Sequence, residues 1–113
     1  MENNKIYNMD CLDGMKDIKS GSIDLIVTDP SYLINYKTNH RNDKNHEFTK
    51  VIANDDNTEL IEEYIKECYR ILKDDTAMYM FCSPKTVDFF KLKIDETGFR
   101  IKNLIVWDKG NWT

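Results

Sequence analysis

The stretch that most constrains this chain is Ile23-Asp24-Leu25-Ile26-Val27-Thr28-Asp29-Pro30-Ser31-Tyr32, an apolar, β-branched run that stops abruptly at an acid, a proline and a tyrosine. Leu25, Ile26 and Val27 in succession predict a strand buried on both faces, the habit of parallel sheets. Proline cannot continue a ladder and holds the residue before it extended, so Asp29 is expected at the carboxyl end of the strand. Open α/β sheets place their ligands there.

Within four residues, Asp29-Pro30-Ser31-Tyr32 presents a carboxylate, a carbonyl on a residue without an amide proton, and an aromatic ring. These groups suit a planar nucleobase held by its exocyclic amine. The carboxylate and the Pro30 carbonyl accept the two amine protons, and the Tyr32 ring stacks on the face of the base. The plainer reading is a strand followed by a turn, with Asp29 as a local cap and Tyr32 as a rim aromatic.

The stretch resembles the Asp-Pro-Pro-Tyr motif of the DNA amino-methyltransferases, which use S-adenosylmethionine to methylate the exocyclic amine of adenine or cytosine. Asn8-Met9-Asp10-Cys11-Leu12 is similar to the family segment that touches the adenine of the cofactor. Ile105-Val106-Trp107-Asp108-Lys109-Gly110-Asn111 is similar to a later segment near the target base. The order agrees with the permuted class, in which the catalytic motif comes first, and the resemblance spans nearly the whole chain. It implies a catalytic role for Asp29, Pro30 and Tyr32, cofactor contacts at Asp10, Cys11 and Asp29, and a base pocket walled by Tyr32, Trp107 and Lys109. Adenine is the expected target because the Asp-led motif is more usual for adenine, with the cytosine amine as the alternative.

Two departures from the family pattern matter. Ser31 stands where a second proline is usual. The 113 residues also contain no Phe-x-Gly-x-Gly segment to cradle the methionine part of the cofactor, and no DNA-reading region. The resemblance places both downstream, so residues 1–113 correspond to the amino-terminal catalytic half of a methyltransferase domain. A rival reading is a non-catalytic remnant or DNA-interaction module that keeps the half-fold. A looser one is a nucleotide-binding α/β domain with magnesium on Asp29, which lacks support from any Gly-rich phosphate loop.

With 41% hydrophobic and 32% charged residues, the chain has an ordinary globular composition. Its apolar runs are far shorter than the roughly 20 residues that cross a bilayer, and its amino terminus is polar, which predicts a cytoplasmic protein with no membrane partner. A formal charge of −4 argues against a surface that binds nucleic acid everywhere, so contact with double-stranded DNA must be local. The basic stretch 37–50 is the candidate, with Lys37, Arg41, Lys44 and Lys50 placed to meet phosphates, although a charge-rich loop can equally be merely solvated. His40 and His46 lie in no ligand-like cluster, and no metal is expected. Cys11, Cys68 and Cys82 form no Cys-x-x-Cys pair and read as reduced thiols, buried where their segments are apolar.

Along the chain, Lys5-Ile6-Tyr7-Asn8 predicts an opening strand, and Asp10 caps a helix carrying Leu12, Met15 and Ile18. Asp56 and Glu59 form a capping-box pattern ahead of a helix striped by Leu60, Ile61, Tyr64, Ile65, Cys68, Tyr69 and Leu72. Lys73-Asp74-Asp75 turns the chain into a second apolar strand, Thr76 to Cys82. Ser83-Pro84 starts a helix through Val87, Phe90 and Ile94 that stops at Gly98. Phe99 to Trp107 predicts the last strand.

Strands alternating with helices predict an α/β protein, a three-layer α/β/α sandwich with a mainly parallel sheet. The resemblance makes it an incomplete Rossmann-like methyltransferase fold, with a gap in its sheet. An open strand edge recruits another chain, so a second polypeptide or self-association is expected to complete it.

Overall fold

A computed structural model of the chain describes residues 1–33 and 57–110. In order these form α1 (Cys11–Met15), β1 (Ile23–Thr28), α2 (Thr58–Ile71), β2 (Leu72–Met80) and α3 (Val87–Thr97). The basic stretch 37–50, the Asp55-Asp56 pair and residues 111–113 lie outside the described residues.

β1 and β2 pair in parallel, with Leu25, Ile26, Val27 and Thr28 opposite Ala77, Met78, Tyr79 and Met80. The register breaks between Ile23 and Leu25. There Lys73–Thr76 bulges out, Asp75 takes a left-handed φ of 58°, and Thr76 Oγ1 donates to the Lys73 carbonyl at 2.6 Å. The turn read at Lys73-Asp74-Asp75 is therefore an interruption inside β2, which begins at Leu72 directly after α2 and ends at Met80.

α2 and α3 cover one face of this sheet. Met15, Cys68 and Ile71 form one core cluster, joined by Ile18, Ile23, Ile26 and Met78. Ile61, Ile65 and Phe90 form a second, joined by Leu33, Met80 and Cys82. Burying these side chains stabilises the fold by about 1.5–3 kcal/mol each. The α2 stripe forms as its 3.6-residue spacing predicts, except that Tyr69 is largely exposed and touches Phe99 edge-on.

The expectation of burial on both faces is corrected. Side chains alternate across a strand, so Leu25, Val27 and Tyr79 point away from the helices, and among the described residues nothing covers them. Val27 is 64% exposed. The described residues make two layers of the three expected.

Two predicted strands are also corrected. Lys5-Ile6-Tyr7-Asn8 forms no ladder, and Ile6 is 96% exposed. Phe99–Trp107 is extended but unpaired, with Leu104, Ile105, Val106 and Trp107 all exposed. A strand exists only through a neighbour's peptide groups, and neither segment has one among the described residues.

Helix ends differ from expectation in smaller ways. α1 ends at Met15, so Ile18 reaches the core from the turn beyond it. The α2 cap is Asn57, whose side chain accepts from Leu60 N at 3.0 Å, one residue later than the Asp56 pattern implied. Ser83-Pro84 opens a turn that precedes α3; Ser83 Oγ accepts from Lys85 N at 3.2 Å, and the helix starts at Val87 behind Thr86. Gly98 stops α3 as predicted, with φ at 122°. Of the thiols, Cys68 is buried, Cys82 half-buried and Cys11 exposed.

Candidate active site

β1 ends at Thr28, whose carbonyl accepts from Phe81 N at 3.0 Å and so keeps β2 beside it to the last residue. The Thr28 hydroxyl also shares a hydrogen bond with Tyr64 of α2, at 2.5 Å. This bond spans helix and sheet and fixes the point where Asp29 leaves the strand. Burial pushes the Tyr64 phenol up to about 12.

Asp29 is exposed and Pro30 half-buried. The Tyr32 phenol is pushed up to about 12, chiefly by the neighbouring Asp29 carboxylate three residues upstream. The backbone of the loop is pinned from outside. Thr86 Oγ1 donates to the Tyr32 carbonyl at 2.6 Å, and Leu33 packs into the cluster of Ile61, Ile65 and Phe90. Leu33 has a φ of 61°, an unusual conformation for a side chain of its size. Backbone conformations of this kind persist only where their surroundings over-determine them.

Asp10 is the N-cap of α1, its Oδ1 accepting from Leu12 N at 2.9 Å and Asp13 N at 3.3 Å. The plain capping reading therefore holds, and the carboxylate remains exposed. Cys11 is an electrostatic neighbour of both Tyr64 and Cys68, and its thiol is raised by burial and by Asp10. Met15 of α1 belongs to the core cluster that Tyr64, bonded to the end of β1, also joins.

Arg70 holds α1 in that position. Its guanidinium donates to the Met15 carbonyl at 2.8 Å, the Ile18 carbonyl at 2.9 Å and Ser20 Oγ at 3.0 Å, while Glu67 pairs with its Nε at 2.7 Å. Cations suit the carbonyl end of a helix, where backbone acceptors lack partners.

Trp107 meets Phe81 edge-on with ring centroids 6.0 Å apart, and the Lys109 ammonium lies 5.5 Å from the centroid of the Trp107 ring. Because Phe81 is bonded to Thr28, Trp107 and Lys109 stand at the same end of the sheet as Asp29. Lys37, Arg41, Lys44 and Lys50 are outside the described residues. Sequence reasoning missed Tyr64, Thr86 and Arg70. Tyr64 reads as one more member of an apolar stripe, and the partners of all three are far away in sequence.

The profile of the N6/N4 DNA methylases, described as DNA methylase, matches residues 23–113. The chain belongs to the N6/N4 DNA methylase family. It is 32% identical over 94 residues to the type II methyltransferase M.HpaI of Haemophilus parainfluenzae, covering 82% of this chain and 28% of that protein. It is 30% identical over 115 residues to the type II methyltransferase M.HinfI of Haemophilus influenzae, covering 96% and 32%. With the DNA adenine methyltransferase YhdJ of Escherichia coli K12 the identity is 33% over 103 residues, covering 90% and 32%. The N6/N4 methylase chain described here thus spans less than a third of the length of these relatives. No solved structure matches it. Among the described residues, no helix is long and apolar enough to cross a membrane, and no three His, Cys, Asp or Glu residues cluster to hold a metal.

Proposed function

We propose that this chain is the catalytic part of a DNA methyltransferase that methylates the exocyclic amine of adenine in double-stranded DNA in the cytoplasm, within a domain that completes a three-layer Rossmann-like sandwich. The observation that carries this reading is that Asp29, Pro30 and Tyr32 follow directly on the end of β1 at Thr28, with the Tyr32 carbonyl held by Thr86, in a chain of the N6/N4 methylase family. Adenine rather than cytosine is supported by the Asp-led motif and by the similarity to YhdJ.

The chemistry follows from what these groups accept. An aromatic amine is a poor nucleophile because its lone pair is delocalised into the ring. Asp29 and the Pro30 carbonyl each accept one of its protons, which holds the lone pair out of the ring. The Tyr32 ring stacks on the base and offsets part of the stacking lost when the base leaves the duplex.

S-adenosylmethionine, when bound, supplies a methyl group on a positively charged sulfur. The exposed carboxylates of Asp10 and Asp29 fit its adenine amine and its sulfonium charge, and Cys11 lies beside Asp10. Among the described residues no group of this kind stands ready for its methionine end.

The test is methyl transfer from labelled S-adenosylmethionine to duplex DNA by the chain combined with the remainder of a family domain, with the product digested to nucleosides. N6-methyladenine is expected. N4-methylcytosine would correct the target, and no labelled nucleoside would support the non-catalytic reading.

A further inference from the structure

We infer that Thr86, at the start of α3, is a positioning residue for the reaction: its hydroxyl fixes the backbone at Tyr32 and so decides where the ring assigned to the target base stands. The inference deepens the proposed function and rests on that reading of Tyr32.

Thr86 is the N-cap of α3, a place where a threonine hydroxyl ordinarily accepts from a backbone N–H of the first turn. Its side chain makes no such bond. Thr86 Oγ1 instead donates to the Tyr32 carbonyl at 2.6 Å, across 54 positions of chain. The helix leaves a favourable interaction at its own end unmade, and the hydroxyl serves the loop after β1.

The hydroxyl is presented from a fixed base. Thr86 N donates to the Ser83 carbonyl at 3.1 Å, Ser83 Oγ accepts from Lys85 N at 3.2 Å, and Ser83 is buried. On the helix side, the Thr86 carbonyl accepts from Phe90 N at 3.2 Å, and Phe90 is one of the most deeply buried side chains of the core. The turn that carries Thr86 is thus tied to the core on both sides.

The loop it reaches is short and held at its ends. Before it, the Thr28 hydroxyl is bonded to Tyr64 and the Thr28 carbonyl to Phe81 N. After it, Leu33 packs against the cluster of Ile61, Ile65 and Phe90, with its φ at 61°. Of the four residues between, Tyr32 carries the ring, and the bond from Thr86 falls on that residue. Tyr32 is only half-buried, so the anchor fixes the backbone while the ring keeps its two side-chain torsions and its access to a partner. A group ordered before its substrate arrives spends less of the binding interaction on being placed, and a displacement of about 1 Å from the reacting geometry can cost roughly a hundredfold in rate.

The test compares Thr86→Val, which keeps the branched shape and removes the hydroxyl, with Thr86→Ser, which keeps the hydroxyl. In the chain combined with the remainder of a family domain, Thr86→Val should lower kcat by about ten- to a hundredfold while KM for duplex DNA and for S-adenosylmethionine changes by less than about twofold, and Thr86→Ser should recover most of the rate. The second measurement uses the 113-residue chain alone, with its tyrosines labelled at Cζ for NMR and the Tyr32 signal assigned through Tyr32→Phe. The Tyr32 phenol, raised to about 12 chiefly by Asp29 with a smaller contribution from Cys82, should stay almost wholly protonated at about pH 10.5 in the unaltered chain and in Thr86→Ser. In Thr86→Val it should be more than half ionised, having returned toward the ordinary value of about 10. Full activity in Thr86→Val, a loss that Thr86→Ser does not recover, or a Tyr32 phenol indifferent to the hydroxyl would each overturn the inference. Absence of methyl transfer by the unaltered protein would count against the proposed reaction, and the phenol of the chain alone still decides whether Thr86 places Tyr32.

Discussion

The carboxylate of Asp29 is the main reason that the phenol of Tyr32, three residues downstream, is pushed up to about 12. In the completed enzyme, Asp29→Ala should reduce methyl transfer by roughly two to four orders of magnitude, the range of a positioned proton acceptor. Its far-UV spectrum and melting should not change, since Asp29 is exposed. Tyr32→Phe keeps the stacking ring and should retain activity, whereas Tyr32→Ala should lose it. Near-full activity in Asp29→Ala would remove Asp29 from the mechanism.

The alkaline limit of stability should involve Tyr32, Tyr64 and Cys68. Tyr32 and Tyr64 are raised to about 12 and Cys68 to about 11, so the folded state holds these protons after the unfolded chain has released them. Their contribution is complete below the ordinary values of about 8.5 for a thiol and 10 for a phenol, and is lost as pH rises through the folded values. Stability measured by denaturant titration should fall from about pH 9 to 12. Tyr64→Phe should flatten that fall, and an unchanged profile would contradict the assignment.

Arg70 should matter more than a surface cation. Arg70→Gln removes donors from the Met15 and Ile18 carbonyls and should lower the melting temperature, with faster amide exchange across residues 11–20. Arg70→Lys should restore little, because one ammonium cannot reproduce the planar fork that spans both carbonyls. Thermal melts of the two variants check this.

The basic stretch should supply DNA affinity without sequence choice. Neutralising Lys37, Arg41, Lys44 and Lys50 together should weaken binding to every duplex alike and flatten its salt dependence. Loss confined to one cognate duplex, or no loss, would remove the phosphate-contact role.

The 113-residue chain by itself should transfer no methyl group and should bind S-adenosylmethionine weakly or not at all, since among the described residues the proposed contacts, Asp10, Cys11 and Asp29, serve only part of the cofactor. Calorimetric titration measures this. Micromolar binding, about −8 kcal/mol, would show a more self-contained site.

Local signals were legible in the sequence because their causes are local. The α2 stripe, the Asp10 cap, the stop at Gly98 and the end of β1 at Thr28 before Asp29 and Pro30 depend on residues a few positions apart, and each forms close to its predicted place. The same pattern reading placed strands at residues 5–8 and 99–107, and neither pairs among the described residues. Extended apolar sequence states a preference for a sheet, but the ladder needs peptide groups from another segment.

The sequence by itself determined which stretches are helical, where the apolar run stops, and which carboxylate, carbonyl and ring stand together in Asp29-Pro30-Ser31-Tyr32. Only the tertiary structure decided what holds them in place. Tyr64 reaches Thr28 across 36 positions of chain, Thr86 reaches the Tyr32 carbonyl across 54, and Arg70 reaches the Met15 carbonyl across 55. Periodicity and caps report the neighbours within a turn or two, whereas a hydrogen bond between distant segments depends on how layers stack and on strand register, which no short window of sequence contains.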